Sequence, residues 1–266
     1  MKHPSIRPWF LFVTVLFLAT QIQSSAQAQN IPSPRMLPLI GPLVGENVTV
    51  ETEQNNPYFC KVIITGTDEE TESLCSGTLI DSYTVVTAAH CFSDVGSVQV
   101  SCGKKDVGTV LSLVYPEKHQ WINSERPRPE QDVAVLHLKK YQNLPTLPFS
   151  HSESDFFDPS SGKLKPNVSC KIAGYGVNNS GGNSRLMMAS LKNLSLTFQS
   201  QLIYLSAPRT HYLPTSVDHG DSGGSLFCSS PTQPQKLVGI VGGYMSEKNA
   251  DSRRVYNFFA ATWLNL

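Results

Sequence analysis

The chain lacks any imbalance of charge. Lysine plus arginine number 21, aspartate plus glutamate number 21, and the formal net charge is +0. Bulk attraction to nucleic acid or to an anionic membrane is therefore not available to it. It also lacks a Cys-x-x-Cys pair among its six cysteines, which removes the usual signature of a zinc ribbon or a thioredoxin-like redox site. There is no internal repeat, no low-complexity tract and no strongly amphipathic helix, so solenoid, disordered and coiled-coil classes fall away. No apolar run reaches comfortable membrane-spanning length. The longest, Trp9 to Ala19, follows Lys2 and Arg7 and precedes Ala26-Gln27-Ala28. That order reads as a signal peptide over residues 1–28, cleaved to leave Gln29 first. Its removal deletes Lys2 and Arg7 and no acid, leaving 19 basic residues against 21 acidic ones. Export to an oxidising compartment makes disulfides the natural use of the cysteines. The expectation is a secreted protein, extracellular or periplasmic, with no stable membrane association once the signal is cleaved.

What the chain does have is short β-favouring runs. With 266 residues, 40% hydrophobic and 16% charged, it has the composition of a globular protein. Residues 29–56 are rich in Pro, Gly, Asn and Gln and read as an N-terminal arm or propeptide. From Tyr58 the runs are Tyr58 to Thr65, Thr78 to Ile80, Thr84 to Thr87, Val98 to Ser101, Val107 to Val114, and Val133 to Leu138. Residues 145–166 carry four prolines with scattered Ser and Asp and read as a linker. A second series follows: Val168 to Ala173, Leu186 to Phe198, Leu202 to Leu205, Ser225 to Cys228, Leu237 to Val241, and Arg254 to Phe259. Gly, Asn, Asp, Ser and Pro separate the runs, as antiparallel β structure requires. Short helical turns fit at Ala88 to Phe92 and at Ala260 to Leu266.

Three local signals carry chemistry. Gly220-Asp221-Ser222-Gly223-Gly224 sets a serine between an acid and two glycines. Such a stretch also suits an ordinary turn. Glycine, however, lets amide N–H groups approach a ligand closely, and two such groups would steady an oxyanion beside the serine hydroxyl. His90 ends a β-like run in Thr87-Ala88-Ala89-His90-Cys91, and Asp132 opens the apolar run Asp132-Val133-Ala134-Val135-Leu136. Each alone fits a structural role. Together they supply what a hydroxyl nucleophile needs: a base with a pKa of about 6.5 and a carboxylate to orient it.

With these motifs, in this order, the chain resembles the trypsin/chymotrypsin-like serine proteases from about Pro57 to the C-terminus. The resemblance implies an all-β fold: two antiparallel six-stranded β-barrels, the active site in the cleft between them, and a short C-terminal helix. On this reading residues 57–266 form the protease domain, with a first barrel over about 57–144 and a second over about 167–266. His90 is then the general base, Asp132 the orienting carboxylate and Ser222 the nucleophile. The Gly220 and Ser222 amides form the oxyanion hole. The resemblance pairs Cys75 with Cys91 and Cys170 with Cys228, and leaves Cys60 to pair with Cys102. Protein or peptide substrates are implied, hydrolysed by a monomer through an acyl-enzyme, with no cofactor, no metal and no nucleic-acid partner. The alternative is a catalytically weak homologue that binds a partner through the same scaffold.

The chain departs from the family pattern around substrate binding and activation. The expected pocket residues are Ser216, His219, Gly242 and Tyr244. Ser216 stands where an acid would select Arg or Lys, so a preference for basic residues is not expected. No cysteine occupies position 218. Arg254 is expected on the wall opposite Tyr244. The usual Ile-Val-Gly-Gly start, whose ammonium pairs with the acid before the serine, is also missing. Arg35 is the one basic residue between Gln29 and Cys60, and Leu43-Val44-Gly45 only echoes that start. Asp221 therefore needs another partner, or a processing enzyme of different specificity must act. Sequons for N-glycosylation occur at Asn47, Asn167, Asn178 and Asn193.

Overall fold

The computed structural model describes residues 44–45, 48–103, 105–114, 121–123, 126–140, 142–176, 185–191, 195–206, 215–217, 219–249, 252–262 and 266. The chain divides between Met36 and Leu37, and every described residue belongs to the second unit. The expected signal peptide lies outside the described residues, as do the sequons at Asn47, Asn178 and Asn193.

Strands start earlier than the sequence suggests. β1 (Val44–Gly45) and β2 (Val48–Val50) fall inside the stretch read as an arm. Backbone pairing, which does not depend on side-chain pattern, recruits them. The first barrel follows with β3 (Phe59–Thr65), β4 (Glu72–Asp81), β5 (Thr84–Thr87), β6 (Ser97–Cys102) and β7 (Lys105–Val114). After the hairpin β8 (Trp121–Asn123) and β9 (Arg126–Pro127), β10 (Ala134–Leu138) closes it. The six strands form a closed ring in the order β10-β5-β4-β3-β6-β7. Alternation explains the inward face: Val62 and Ile64 of β3 are buried while Lys61, Ile63 and Thr65 between and beyond them are partly exposed. Fully burying one such aliphatic side chain is worth about 1.5–3 kcal/mol. Closure also leaves no free sheet edge.

The second half contains β11 (Ser169–Gly174), β12 (Met187–Ser190), β13 (Ser195–Gln199), β14 (Leu202–Ser206) and the two-residue β15 (Thr215–Ser216). β16 (Ser225–Ser230), β17 (Gln233–Asn249) and β18 (Ser252–Ala261) complete it. Its sheet has eight strands in the order β13-β14-β18-β17-β16-β11-β12-β2. Val50 pairs with Met187, so β2 forms the last strand of that sheet. The run Leu186 to Phe198, read as one β stretch, contributes two strands, β12 and β13. The polar Lys192-Asn193 interrupts the apolar run between them. The intervening 145–166 segment is more than a connection. Its Phe156 and Phe157 are fully buried in the second core, beside Ile172, Leu226 and Phe259. The expected C-terminal helix lies mostly outside the described residues, though Leu266 N donates to Thr262 O at 3.0 Å.

Three disulfides staple the two halves internally. Cys60–Cys102 bridges directly opposed residues of β3 and β6, and Cys170–Cys228 does the same for β11 and β16. Cys75–Cys91 ties β4 to the turn after β5. Their sequence separations of 42, 58 and 16 residues correspond to about 4, 4 and 3 kcal/mol of chain-entropy stabilisation.

Candidate active site

His90 lies on the 3₁₀ turn Ala89–Phe92, directly after β5. The preceding Ala88 and Ala89 are fully buried, and the following Cys91 is bonded to β4. Small side chains before it and a covalent tether after it hold the turn. Asp132 caps a second 3₁₀ turn, Pro129–Gln131, just before β10. It is 4% exposed. A buried carboxylate needs donors, and His90 supplies two. The His90 amide donates to Asp132 Oδ1 at 2.9 Å, and Nδ1 meets Oδ2 at 2.7 Å. The carboxylate thus assigns the Nδ1–H tautomer. Nε2 remains as the basic nitrogen. The imidazole side chain is 21% exposed, so the ring is not sealed in the core. Asp132's turn also packs on β18. Burial first, and the Glu130 charge of this turn second, raise the Tyr204 hydroxyl pKa on β14.

Ser222 sits in the second half but is docked on the first. Its carbonyl accepts from Ser76 N at 2.7 Å. The next residue, Gly223, has φ +77°, a backbone conformation that only glycine adopts freely. A Cβ at Gly223 would lie 2.1 Å from Thr87 Oγ1, 2.3 Å from Ser76 O and 2.8 Å from Ala88 N. The serine turn therefore presses against the backbone that carries His90. Thr87 Oγ1 itself donates to Ser76 O at 2.6 Å. The carbonyl of Gly220, a residue with φ +86°, accepts from the Ser76 hydroxyl at 2.7 Å. Tyr175 N donates to that same hydroxyl at 2.8 Å. One serine side chain on β4, in the first half, thus joins Gly220 and Tyr175 of the second half. Nothing in the motif pattern marks Ser76; its position after Cys75 was the only available signal. A further hydroxyl pair, Thr78 and Ser225, meets in the same buried seam.

Asp221 is fully buried and has the Gly176 amide among its partners, donating to Oδ1 at 3.0 Å. A Cβ at Gly174 would lie 2.3 Å from that oxygen. The Gly174-Tyr175-Gly176 segment is thus glycine-flanked to admit the carboxylate. Tyr175 anchors it: its hydroxyl donates to Phe59 O at 3.2 Å and Lys61 Nζ lies 5.1 Å above its ring. Burial, reinforced by Glu53, pushes the Tyr175 hydroxyl far above the usual phenol range.

The expected pocket residues scatter more. Gly242 is buried beside Asp132: a Cβ there would be 3.3 Å from Asp132 Oδ2 and 2.4 Å from Phe258 Cε2. Phe258 is a neighbour that the sequence pattern does not flag. His219 is exposed. Ser216 and Tyr244 are described for their backbones alone. Ser216 pairs with Val44 of β1, and Tyr244 pairs with Asn257. Arg254 stands across from Glu247, not from Tyr244, because β17 and β18 pair without a break from Gly243↔Phe258 to Asn249↔Ser252. Position 218 lies outside the described residues. No group of three or more His, Cys, Asp or Glu able to hold a metal occurs among the described residues. Among the same residues, no helix is long and apolar enough to cross a membrane.

Comparison with known proteins places the chain by family and by fold. The trypsin family model matches residues 44–264, which takes in β1 and β2. Urokinase-type plasminogen activator of Gallus gallus is 27% identical over 223 residues, 74% of this chain and 50% of that protein. Cathepsin G of Mus musculus is 28% identical over 194 residues, 66% of this chain and 69% of that protein. Transmembrane protease serine 9 of Rattus norvegicus is 28% identical over 193 residues, 65% of this chain and 17% of that protein. The chain thus spans half the length of the first of these relatives and a sixth of the last. In fold, it superposes on the HL collagenase structure with a TM-score of 0.57 at 18% identity, covering 82% of this chain and 94% of that one. With two β halves and a family match over nearly its whole described length, this chain belongs to the trypsin family.

Proposed function

We propose that the chain is a serine endopeptidase that hydrolyses peptide bonds through an acyl-enzyme. The observation that carries the reading is the double hydrogen bond from His90 to Asp132. It leaves Nε2 unprotonated and steadies the ring for a second proton. Nε2 takes the proton of Ser222 Oγ as Oγ attacks the carbonyl carbon. The Gly220 and Ser222 amides hold the resulting oxyanion; one such donor is typically worth about 10²–10³ in turnover. His90 then gives its proton to the leaving amine. Water, activated by the same nitrogen, releases the acyl group. No step needs a cofactor. Cathepsin G and the plasminogen activator are proteases by name, which supports protein or peptide substrates here. Secretion as a monomer, after loss of residues 1–28, is part of the same reading; the three disulfides support its oxidising compartment.

The experiment is covalent labelling of the chain by a fluorophosphonate. Labelling is expected, and Ser222→Ala abolishes it while leaving the fold intact by circular dichroism. Two features of the chain favour the second reading, a weakly active binding homologue: Ser216 stands where an acid would select Arg or Lys, and the usual Ile-Val-Gly-Gly start is missing. Absence of labelling in both full-length and processed forms would refute the enzyme reading.

A further inference from the structure

We propose that Asn167 is an acceptor for an N-linked glycan. The proposal rests on the secretion reading above. Asn167-Val168-Ser169 is a complete sequon, with no proline at its centre. Asn167 and Ser169 are both exposed. Among the described residues, the Asn167 carboxamide forms no hydrogen bond that would hold it back. The backbone around it is fixed. Val168 N donates to Lys165 O at 3.4 Å, and Lys165 N donates to Phe156 O at 2.9 Å, with Phe156 itself fully buried. The side chain therefore projects from a rigid turn on the second half of the fold.

Position makes the modification compatible with catalysis. β11 begins at Ser169 and ends at Gly174, next to the segment that receives Asp221. The six extended residues of β11 put roughly 20 Å between Asn167 and that end. A glycan there decorates the end of the strand away from Ser222. Timing is also compatible. Cys170 lies three residues beyond Asn167, but its partner Cys228 comes 58 residues later. The acceptor is synthesised before the disulfide that would constrain it can form.

The co-substrate is a lipid-diphosphate-linked oligosaccharide. Asn167 Nδ2 attacks the anomeric carbon, a C–N bond forms, and the C–O bond to the diphosphate breaks. The diphosphate leaves with the electron pair and Nδ2 gives up one proton; nothing is oxidised or reduced. The product is a bulky, solubilising surface group.

Asn167 has a competing structural reason to be asparagine. Its φ is +61°, a conformation that asparagine tolerates better than most residues. The test must separate the two roles. The full chain is expressed in secreting eukaryotic cells, the glycan is released with an amidase, and the peptide containing position 167 is weighed. Asn167 is expected to appear as Asp after release. Asn167→Gly, which suits the backbone, and Ser169→Ala, which leaves Asn167 in place, are both expected to remove the modification. Ser169→Thr is expected to retain it. Fluorophosphonate labelling of Ser222 is expected to match the wild type within about twofold in all three. Secreted, disulfide-bonded protein with an unmodified Asn167 overturns the glycan proposal alone. Retention inside the cell with free thiols overturns the secretion reading, and the glycan with it.

Discussion

Replacing Asp132 by asparagine tests the site at its most constrained point. The carboxylate offers two acceptors and His90 presents two donors, the amide to Oδ1 at 2.9 Å and Nδ1 to Oδ2 at 2.7 Å. Asparagine offers one acceptor and one NH₂ donor. The His90 amide carries its hydrogen permanently, so it claims the oxygen. The NH₂ then faces Nδ1, which has to become the acceptor, and the imidazole proton moves to Nε2. Nε2–H cannot take a proton from Ser222 Oγ. The expected loss is about 10⁴-fold in turnover, the size of the same tautomer change in another serine protease triad. The cost in stability is smaller, about 1.5–3 kcal/mol for each charged hydrogen bond weakened. The assay is the rate of fluorophosphonate labelling of Ser222, with thermal unfolding measured on the same sample. A folded Asp132→Asn variant labelled at the wild-type rate would refute the assigned tautomer and the role of His90 as base.

Three further outcomes follow from the geometry. Gly242→Ala places a Cβ 2.4 Å from Phe258 Cε2 and 3.3 Å from Asp132 Oδ2; overpacking of this kind costs about 1–3 kcal/mol. The melting temperature and labelling rate should both fall, and Phe258→Leu in the same chain should restore much of each; an unaltered single variant contradicts the packing. Val44 is already paired with Ser216, so a new terminus able to reach the Asp221 region should arise at Leu43, after Pro42. N-terminal sequencing of active enzyme should begin there, and a start at Gln29 or Met36 rules out an ammonium switch. Burial alone would raise the Asp155 carboxyl, but hydrogen bonds from Lys236 and Ser150 outweigh it and hold the pKa below its usual value. Its folded pKa is thus depressed, so its contribution is present above about pH 4 and is lost as the pH falls further. Urea unfolding of Asp155→Asn should show a weaker acid dependence than wild type; an unchanged profile counts against the network.

The residues of the candidate site stand out in the sequence because the chemistry proposed for them demands particular neighbours. His90 follows two alanines that can be buried, Asp132 precedes an apolar strand, and Ser222 is flanked by glycines at close backbone approaches. The six strands of the first barrel were legible as β-favouring runs set apart by Gly, Asp, Asn, Ser and Pro, although not all of them alternate: β5 is buried at every position. Features without a local pattern were not. β1 and β2 are too short for any periodicity and exist through pairing with distant strands. Ser76 looks like any serine until its hydroxyl is found between Gly220 and Tyr175. Phe258 belongs to an apolar run whose register, with its bulge between Val241 and Gly243, is set by the whole hairpin.

The amino-acid sequence by itself determined the chemical inventory: a base, a carboxylate, a hydroxyl, the glycines around it, and six cysteines in a chain that reads as exported. It also determined that no acid stands at Ser216. Only the tertiary structure decided which atoms meet. It clamps His90 with both oxygens of Asp132, presses the Ser222 turn onto Thr87 and Ala88, and gives the buried Asp221 an amide from Gly176. Local sequence sets what a residue can donate or accept. The distance to a partner tens of residues away is set by how a closed barrel and an eight-stranded sheet pack together, and no short stretch of sequence contains that distance.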